Sequence, residues 1–148
     1  MVASHRLASA AQLAQRREDE AARVLAEAQR SLERQREELG RLRAYRQEYG
    51  ARMVAEGERG LPGVQLRRYH GFLEQLDTVI GALESRLAEL QNQHERRHHE
   101  WLAARARTEA LDQVIARDEV ASERRRERCD QHAADDLAQR PSELGWRR

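Results

Sequence analysis

The chain has 148 residues, 4% of them aromatic and 36% charged, so it has the length of one domain but little material for a thick globular core. Its 27 basic residues are all arginine and face 26 acidic ones for a net charge of +1; the signs are well mixed, which argues against a broad basic face of the kind that displaces counterions from nucleic acid. No apolar run approaches the roughly 20 residues that cross a bilayer, so direct membrane insertion is not expected, and Cys129, the single cysteine, leaves no intramolecular disulfide to form.

The opening Met1-Val2-Ala3-Ser4-His5-Arg6 lacks the apolar core of a secretory signal, and a cytoplasmic location is the expectation. From there one series of 3- and 4-residue spacings runs without a phase break: Leu7, Ala11, Ala14, Glu18, Ala21, Leu25, Ala28, Leu32, Gln35, Leu39, Leu42, Arg46, Tyr49, Met53. Only Glu18, Gln35 and Arg46 interrupt its apolar character. Sustained over about six heptads, this is the seam of a coiled coil rather than the face of a globular helix. Ser4 is the candidate N-cap. A helix of about 50 residues would be roughly 75 Å long.

The pattern stops at Glu56-Gly57-Glu58-Arg59-Gly60-Leu61-Pro62-Gly63, where three glycines and a proline cluster. Proline lacks a backbone donor and disfavours a helical residue before it, so the first helix should end near Gly57. A second series then begins, from Leu66, Tyr69, Leu73, Leu76, Ile80, Leu83, Leu87 and Leu90 through His94, Arg97, Trp101, Ala104, Thr108, Leu111 and Ile115. Two helices joined by so short a break must run antiparallel, with a residues of one sharing layers with d residues of the other. A fold centred near Leu61 gives the layers Met53/Tyr69, Tyr49/Leu73, Leu42/Ile80, Leu39/Leu83, Leu32/Leu90, Ala28/His94 and Ala21/Trp101. Small residues then face large ones, as close packing requires.

Beyond Ile115 the second helix has no partner in this register, and an overhang of some 20 residues is expected. Glu123-Arg124-Arg125-Arg126-Glu127-Arg128-Cys129-Asp130 is helix-compatible but polar all round. The arginines beside Cys129 favour a thiolate, yet no base is placed to use it, and an ordinary thiol is expected. Pro141 is expected to end the helix and to open a disordered tail that carries Trp146. The expected fold is therefore all-α: a long antiparallel two-helix coiled-coil hairpin in one domain, with helices over about 5–57 and 64–138, a tip loop at 58–63, an overhanging C-terminal helix and a disordered tail over 139–148.

Enzyme chemistry finds no support. His94-Glu95-Arg96-Arg97-His98 matches H-E-x-x-H, which on a helix can place two imidazoles on zinc. The third ligand is missing, since the residue six beyond His98 is Ala104, and Asp118 and Glu119 lie roughly 30 Å further along the same helix. Adventitious metal binding by His94, His98 and His99 is the most this cluster suggests. No Gly-Lys-Ser/Thr loop exists to cradle phosphates, and no cleft is expected that could bury and tune a catalytic set. No catalytic, cofactor-binding or metal-binding residue is assigned.

One pattern is out of place for a plain coiled coil. With Leu39 at a and Leu42 at d, Tyr45 falls at g, and Phe72 and Val79 are g residues of the second helix. Antiparallel coils bring g edges together, so Tyr45 should lie near Phe72 and Val79, continuous with Leu42, Tyr49 and Leu76. Such edges are normally charged; an aromatic stripe there is either cover for a thin core or a protein-binding patch. Seven glycines between Gly40 and Gly81, four of them inside the expected helices, should make this half the more pliable.

The segments Leu42-Arg43-Ala44-Tyr45-Arg46-Gln47-Glu48-Tyr49 and Leu66-x-x-Tyr69-x-x-Phe72-Leu73-x-x-Leu76, set on either side of a glycine break, resemble the FliJ family of bacterial flagellar export proteins, and the likeness covers nearly the whole chain. The family is similar to the YscO family and to the coiled coil of the rotary ATP synthase gamma subunit. The resemblance implies a cytoplasmic, non-enzymatic stalk of the flagellar type III export apparatus, peripheral to the inner face of the membrane. Its partners would be the hexameric export ATPase (FliI-like), the export-gate membrane protein (FlhA-like) and export chaperones. A gate-binding patch would fall on Leu42, Tyr45, Tyr49, Phe72 and Leu76, extended by Glu38, Val79 and Leu83, which depart from the family's residues. By the same analogy, the end holding both termini would enter the ATPase ring. Two other readings stay open: the stalk of a virulence type III secretion system, and a generic self-associating coiled-coil scaffold.

Overall fold

A computed structural model of the chain describes the backbone of residues 2–144 and the side chains of residues 3–139. It contains two helices, α1 over Val2–Glu58 and α2 over Gly63–Leu144, and no strand among the described residues. No helix among those residues is long and apolar enough to cross a membrane.

The turn between the helices is built by its glycines and proline. Gly60 alone among the described residues takes a left-handed conformation, at φ 89°, and its N–H donates to the carbonyl of Gly57 at 3.2 Å while Arg59 N–H donates to that of Glu56 at 3.1 Å. These bonds satisfy carbonyls that the end of α1 would otherwise leave open. On the other side, the Pro62 carbonyl accepts from Gln65 and Leu66 at 3.0 and 3.1 Å. Proline is well placed there because the missing donor is one that a starting helix does not need.

The chain groups into two compact units, one of Asp19–Leu102 and one of Met1–Glu18 with Ala103–Arg148. In the first, the turn sends α2 back along α1, and Leu32, Leu39, Leu73, Leu76, Ile80 and Leu90 are buried between them. Every other α1 residue of the 3,4 series in this unit is half-buried. In the second unit Ala14 and Thr108 are buried, the Thr108 hydroxyl donating to the Ala104 carbonyl at 3.1 Å so that no polar atom is orphaned. Among the described residues no large side chain is fully enclosed, which is the consequence of a two-helix seam with one layer of side chains.

Two residues of the expected seam lie outside it. Leu66 is 37% exposed at the first turn of α2. Arg97 turns outward to Glu100 at 3.0 Å, since its long stem lets the guanidinium leave the apolar seam and keep its hydration. The seam phase also runs past Ile115, for Asp118 and Ser122 are half-buried, while all described side chains from Glu123 to Gln139 are exposed.

The disordered tail expected from residue 139 is corrected in part. α2 continues through Pro141 to Leu144. A proline so near a helix end forfeits one hydrogen bond, to the carbonyl four residues earlier, and that local cost need not stop the last turn. Residues 145–148, with Trp146, lie outside the described residues.

The glycines inside the helices make a clear expectation. A β-carbon added at Gly40 or Gly81 meets nothing within 4 Å. Gly40→Ala and Gly81→Ala should therefore each stabilise the fold by about 1 kcal/mol and raise the melting temperature by about 2–4 °C, read by circular dichroism. A drop in melting temperature would mean that backbone freedom at these positions is needed by the fold itself.

Candidate functional site

Four aromatic rings meet across the two helices of the Asp19–Leu102 unit. Tyr49 lies 4.6 Å from Phe72 and 4.9 Å from Tyr69 between ring centroids, both tilted. Tyr45 meets Phe72 edge-on at 6.2 Å and an interplanar angle of 83°, and stands 6.3 Å from Tyr49. Offset and edge-to-face contacts of this kind favour the positive ring edge against the negative face. They also fix the register: Tyr49 sits between Tyr69 and Phe72, one residue from Leu73, as a fold centred near Leu61 requires.

The local sequence explains the cluster. Tyr45 and Tyr49 are four residues apart on α1 and Tyr69 and Phe72 three apart on α2, so each pair shares a face. Tyr49 and Tyr69 are seam residues, whereas Tyr45 and Phe72 sit at g and spread the cluster to the edge. Tyr45 is 48% exposed, Tyr49, Tyr69 and Phe72 are half-buried, and Leu76 is buried beneath them.

Of the other sequence-predicted patch residues, Leu42 and Leu83 are half-buried in the seam. Glu38 is exposed and paired with Arg41 at 3.1 Å. Val79 is 47% exposed beside a shallow depression lined by Gly71, Glu74, Gln75 and Thr78. Leu76 and Leu42 thus belong to the seam, and the exposed part of the candidate patch belongs to Tyr45, Val79 and the rims of Tyr49 and Phe72. Tyr69, a seam residue by its spacing, joins the cluster as well, and its i, i+3 spacing to Phe72 is the signal for it in the sequence.

The opposite edge carries the charge. Arg46 forks onto Asp77, Nε to Oδ1 at 2.6 Å and Nη2 to Oδ2 at 3.3 Å, and Arg43 reaches Glu84 at 2.8 Å. Arg43, Asp77 and Glu84 are all e residues, and the seam residue Arg46 leans to their side. In this stretch the e edge is therefore ion-paired and the g edge aromatic. The Arg46 hydrogen bond, then its charge, hold the Asp77 carboxyl below its ordinary pKa, and the same bond raises that of Arg46.

Near the turn, the Tyr69 hydroxyl donates to the Glu56 carboxylate. That hydrogen bond, with lesser help from burial and the Glu56 charge, raises the tyrosine pKa. The signs set a pH profile. Asp77, lowered in the fold, contributes stability above the ordinary aspartate value that is lost as pH falls through its folded value; Tyr69, raised in the fold, contributes stability below the ordinary tyrosine value that is lost as pH rises through its folded value. Asp77→Asn should flatten the acid limb of a melting-temperature profile and Tyr69→Phe the alkaline limb. Limbs that persist unchanged in both variants would assign the pH dependence elsewhere.

The three histidines in and next to the H-E-x-x-H segment are spread around α2. His94 is half-buried in the seam, while His98 and His99 are exposed, His98 with its ring 6.0 Å from Trp101 and His99 3.9 Å from Glu95. Among the described residues no group of three His, Cys, Asp or Glu side chains is placed to hold a metal ion. Cys129 is exposed.

Two packed helices with one ion-paired edge and one aromatic edge define an α-helical coiled-coil protein. A family model described as "Flagellar FliJ protein" matches residues 3–143. The chain belongs to the FliJ family, whose members are of non-enzymatic stalk or chaperone type, and is a flagellar export-related coiled-coil protein. No curated protein and no solved structure matches it.

Proposed function

We propose that the chain is a cytoplasmic coiled-coil stalk of the bacterial flagellar type III export apparatus, without catalytic activity of its own. It links the hexameric export ATPase to the export-gate membrane protein, is held through that apparatus at the inner face of the membrane, and assists export chaperones. The gate contact is made by the aromatic edge: Tyr45, Tyr49 and Phe72 present their rings, Leu42 and Leu76 support them from the seam, and Glu38, Val79 and Leu83 border them.

The observation that supports this reading is the asymmetry of the two edges. Cover for a thin seam would be wanted on both sides, yet in this stretch one side is closed by arginine–carboxylate pairs and the other exposes aromatic surface. Exposed aromatic residues clustered over a supported base are the usual anchors of protein interfaces. The test is a titration of the gate's cytosolic domain with the intact chain and with Tyr45→Ala/Phe72→Ala; equal affinities would sink the patch. Sedimentation of the purified chain addresses the scaffold alternative, for an obligate dimer that buries Tyr45 and Phe72 would leave no free edge for a gate.

A further inference from the structure

The unit of Met1–Glu18 and Ala103–Arg148 carries a second surface, independent of the aromatic edge. On its α1 segment, positions c and g are Arg6, Ala10, Leu13 and Arg17. On its α2 segment they are Arg107, Ala110, Val114 and Arg117, then Ala121 and Arg124. Over this stretch apolar residues and arginine share the face and no carboxylate stands on it; the first at c or g is Asp135, about three turns beyond Arg124. Within Met1–Glu18 and between Ala103 and Arg124 the acidic residues lie elsewhere: Glu18 and Asp118 in the seam, Glu109, Asp112, Glu119 and Glu123 at b and e on the other side. A net charge near zero for the whole chain conceals this separation.

The face is concave where the two helices meet. A groove of about 370 Å³ is lined by Ala14, Ala104 and Leu111 of the seam and by Ala10, Leu13 and Ala110 beside it. Arg17 and Arg107 complete it. Leu13 is 48% exposed and Val114 43% exposed. None of Arg6, Arg17, Arg107, Arg117 and Arg124 makes an ion pair among the described residues, whereas Arg105, on the far side, holds Glu109 at 3.1 Å. Five arginines without counterions beside an open apolar groove call for negative charge from outside the chain.

The geometry points to this groove as the docking site of an amphipathic helix from another protein, one whose small apolar stripe lies on the alanines and whose flanking Asp and Glu side chains meet the arginines. A helix is the occupant that the shape selects. Alanines let a third backbone approach closely, and a groove between two helices accepts a cylinder, with anchors repeating at i, i+3, i+4 and i+7. An anionic bilayer is flat, and the face offers it no aromatic side chain and only one long apolar one, Leu13, to insert. A single-stranded nucleic acid would want aromatic rings for stacking, and the groove has none.

The test needs neither gate nor ATPase. The full chain is titrated with a fluorescein-labelled helical peptide of about 18 residues, carrying Leu and Ala on one face and Glu on the others, and with its twin carrying Lys for Glu. The acidic peptide should bind, the Lys twin should not, and raising salt from about 50 to about 500 mM should weaken the complex. Arg17→Glu/Arg107→Glu should lower affinity roughly tenfold or more at unchanged helicity, and Tyr45→Ala/Phe72→Ala should leave it alone. Equal binding of both peptides, or indifference to the double charge reversal, would overturn the assignment. So would retention on phosphatidylglycerol vesicles without peptide binding, which would make the face a lipid contact.

Discussion

Leu39→Ala should lower the free energy of unfolding by about 3 kcal/mol. For a chain of this length that corresponds to a fall of roughly 6–12 °C in melting temperature. Leu39 is 3% exposed, the most enclosed of the buried leucines. In a seam one side chain deep nothing behind it can move in to fill the gap, so the transfer term and the cavity term should both appear nearly in full. Leu39→Met, which keeps the volume, should cost under about 1.5 kcal/mol, and Leu39→Asp should cost more than alanine because an unpaired carboxylate is left against apolar neighbours. Thermal melts of the three variants by circular dichroism give the ranking. A loss below about 1 kcal/mol for Leu39→Ala would mean that the helices slide or separate locally without penalty, and that the seam is not the source of the fold's stability.

The seam was legible in the sequence because one physical rule generates it. A residue that recurs every 3.5 positions faces the partner helix, and all fourteen α1 residues of the 3,4 series from Leu7 to Met53 are buried or half-buried. The antiparallel layers followed from the turn, since a four-residue loop around Gly60 leaves few ways to return. The rule weakened where side-chain length mattered more than position: Arg97 has the right spacing but the wrong chemistry, and leaves the seam for Glu100.

The site was half legible. Heptad letters placed Tyr45 and Phe72 on one edge, and their rings do meet across the helices. Letters alone could not say that Leu76 is buried while Val79 is open, because both depend on how far each side chain leans from the seam. Tyr69 was assigned to the core by its spacing, and its stacking on Tyr49 and hydroxyl bond to Glu56 depend on rotamers that spacing does not encode. The c and g face of the Met1–Glu18 and Ala103–Arg148 unit escaped notice for a different reason. Its two halves are some 100 residues apart in the chain, and the absence of carboxylates shared by Arg6–Arg17 and Arg107–Arg124 becomes visible only when the helices are paired.

Tyr45→Ala/Phe72→Ala should weaken binding of the gate's cytosolic domain by roughly 100-fold, the effect of losing two aromatic anchors worth about 1–2 kcal/mol each. Helix content should hardly change, because Tyr45 is 48% exposed and the seam leucines beneath are untouched. Some stability will be lost with the edge-to-face contact, about 0.5–1.5 kcal/mol, so affinities belong at a temperature where both proteins are fully folded. Binding of the export ATPase should stay near the unaltered value, which separates loss of a surface from loss of the fold. Phe72→Leu in the same titration divides the two uses of the ring: leucine still covers Leu76 but no longer meets Tyr45 edge-on. If the ring itself anchors the gate, Phe72→Leu falls close to Phe72→Ala; if it only covers the seam, leucine restores the affinity and the contact surface reduces to Tyr45 and Tyr49.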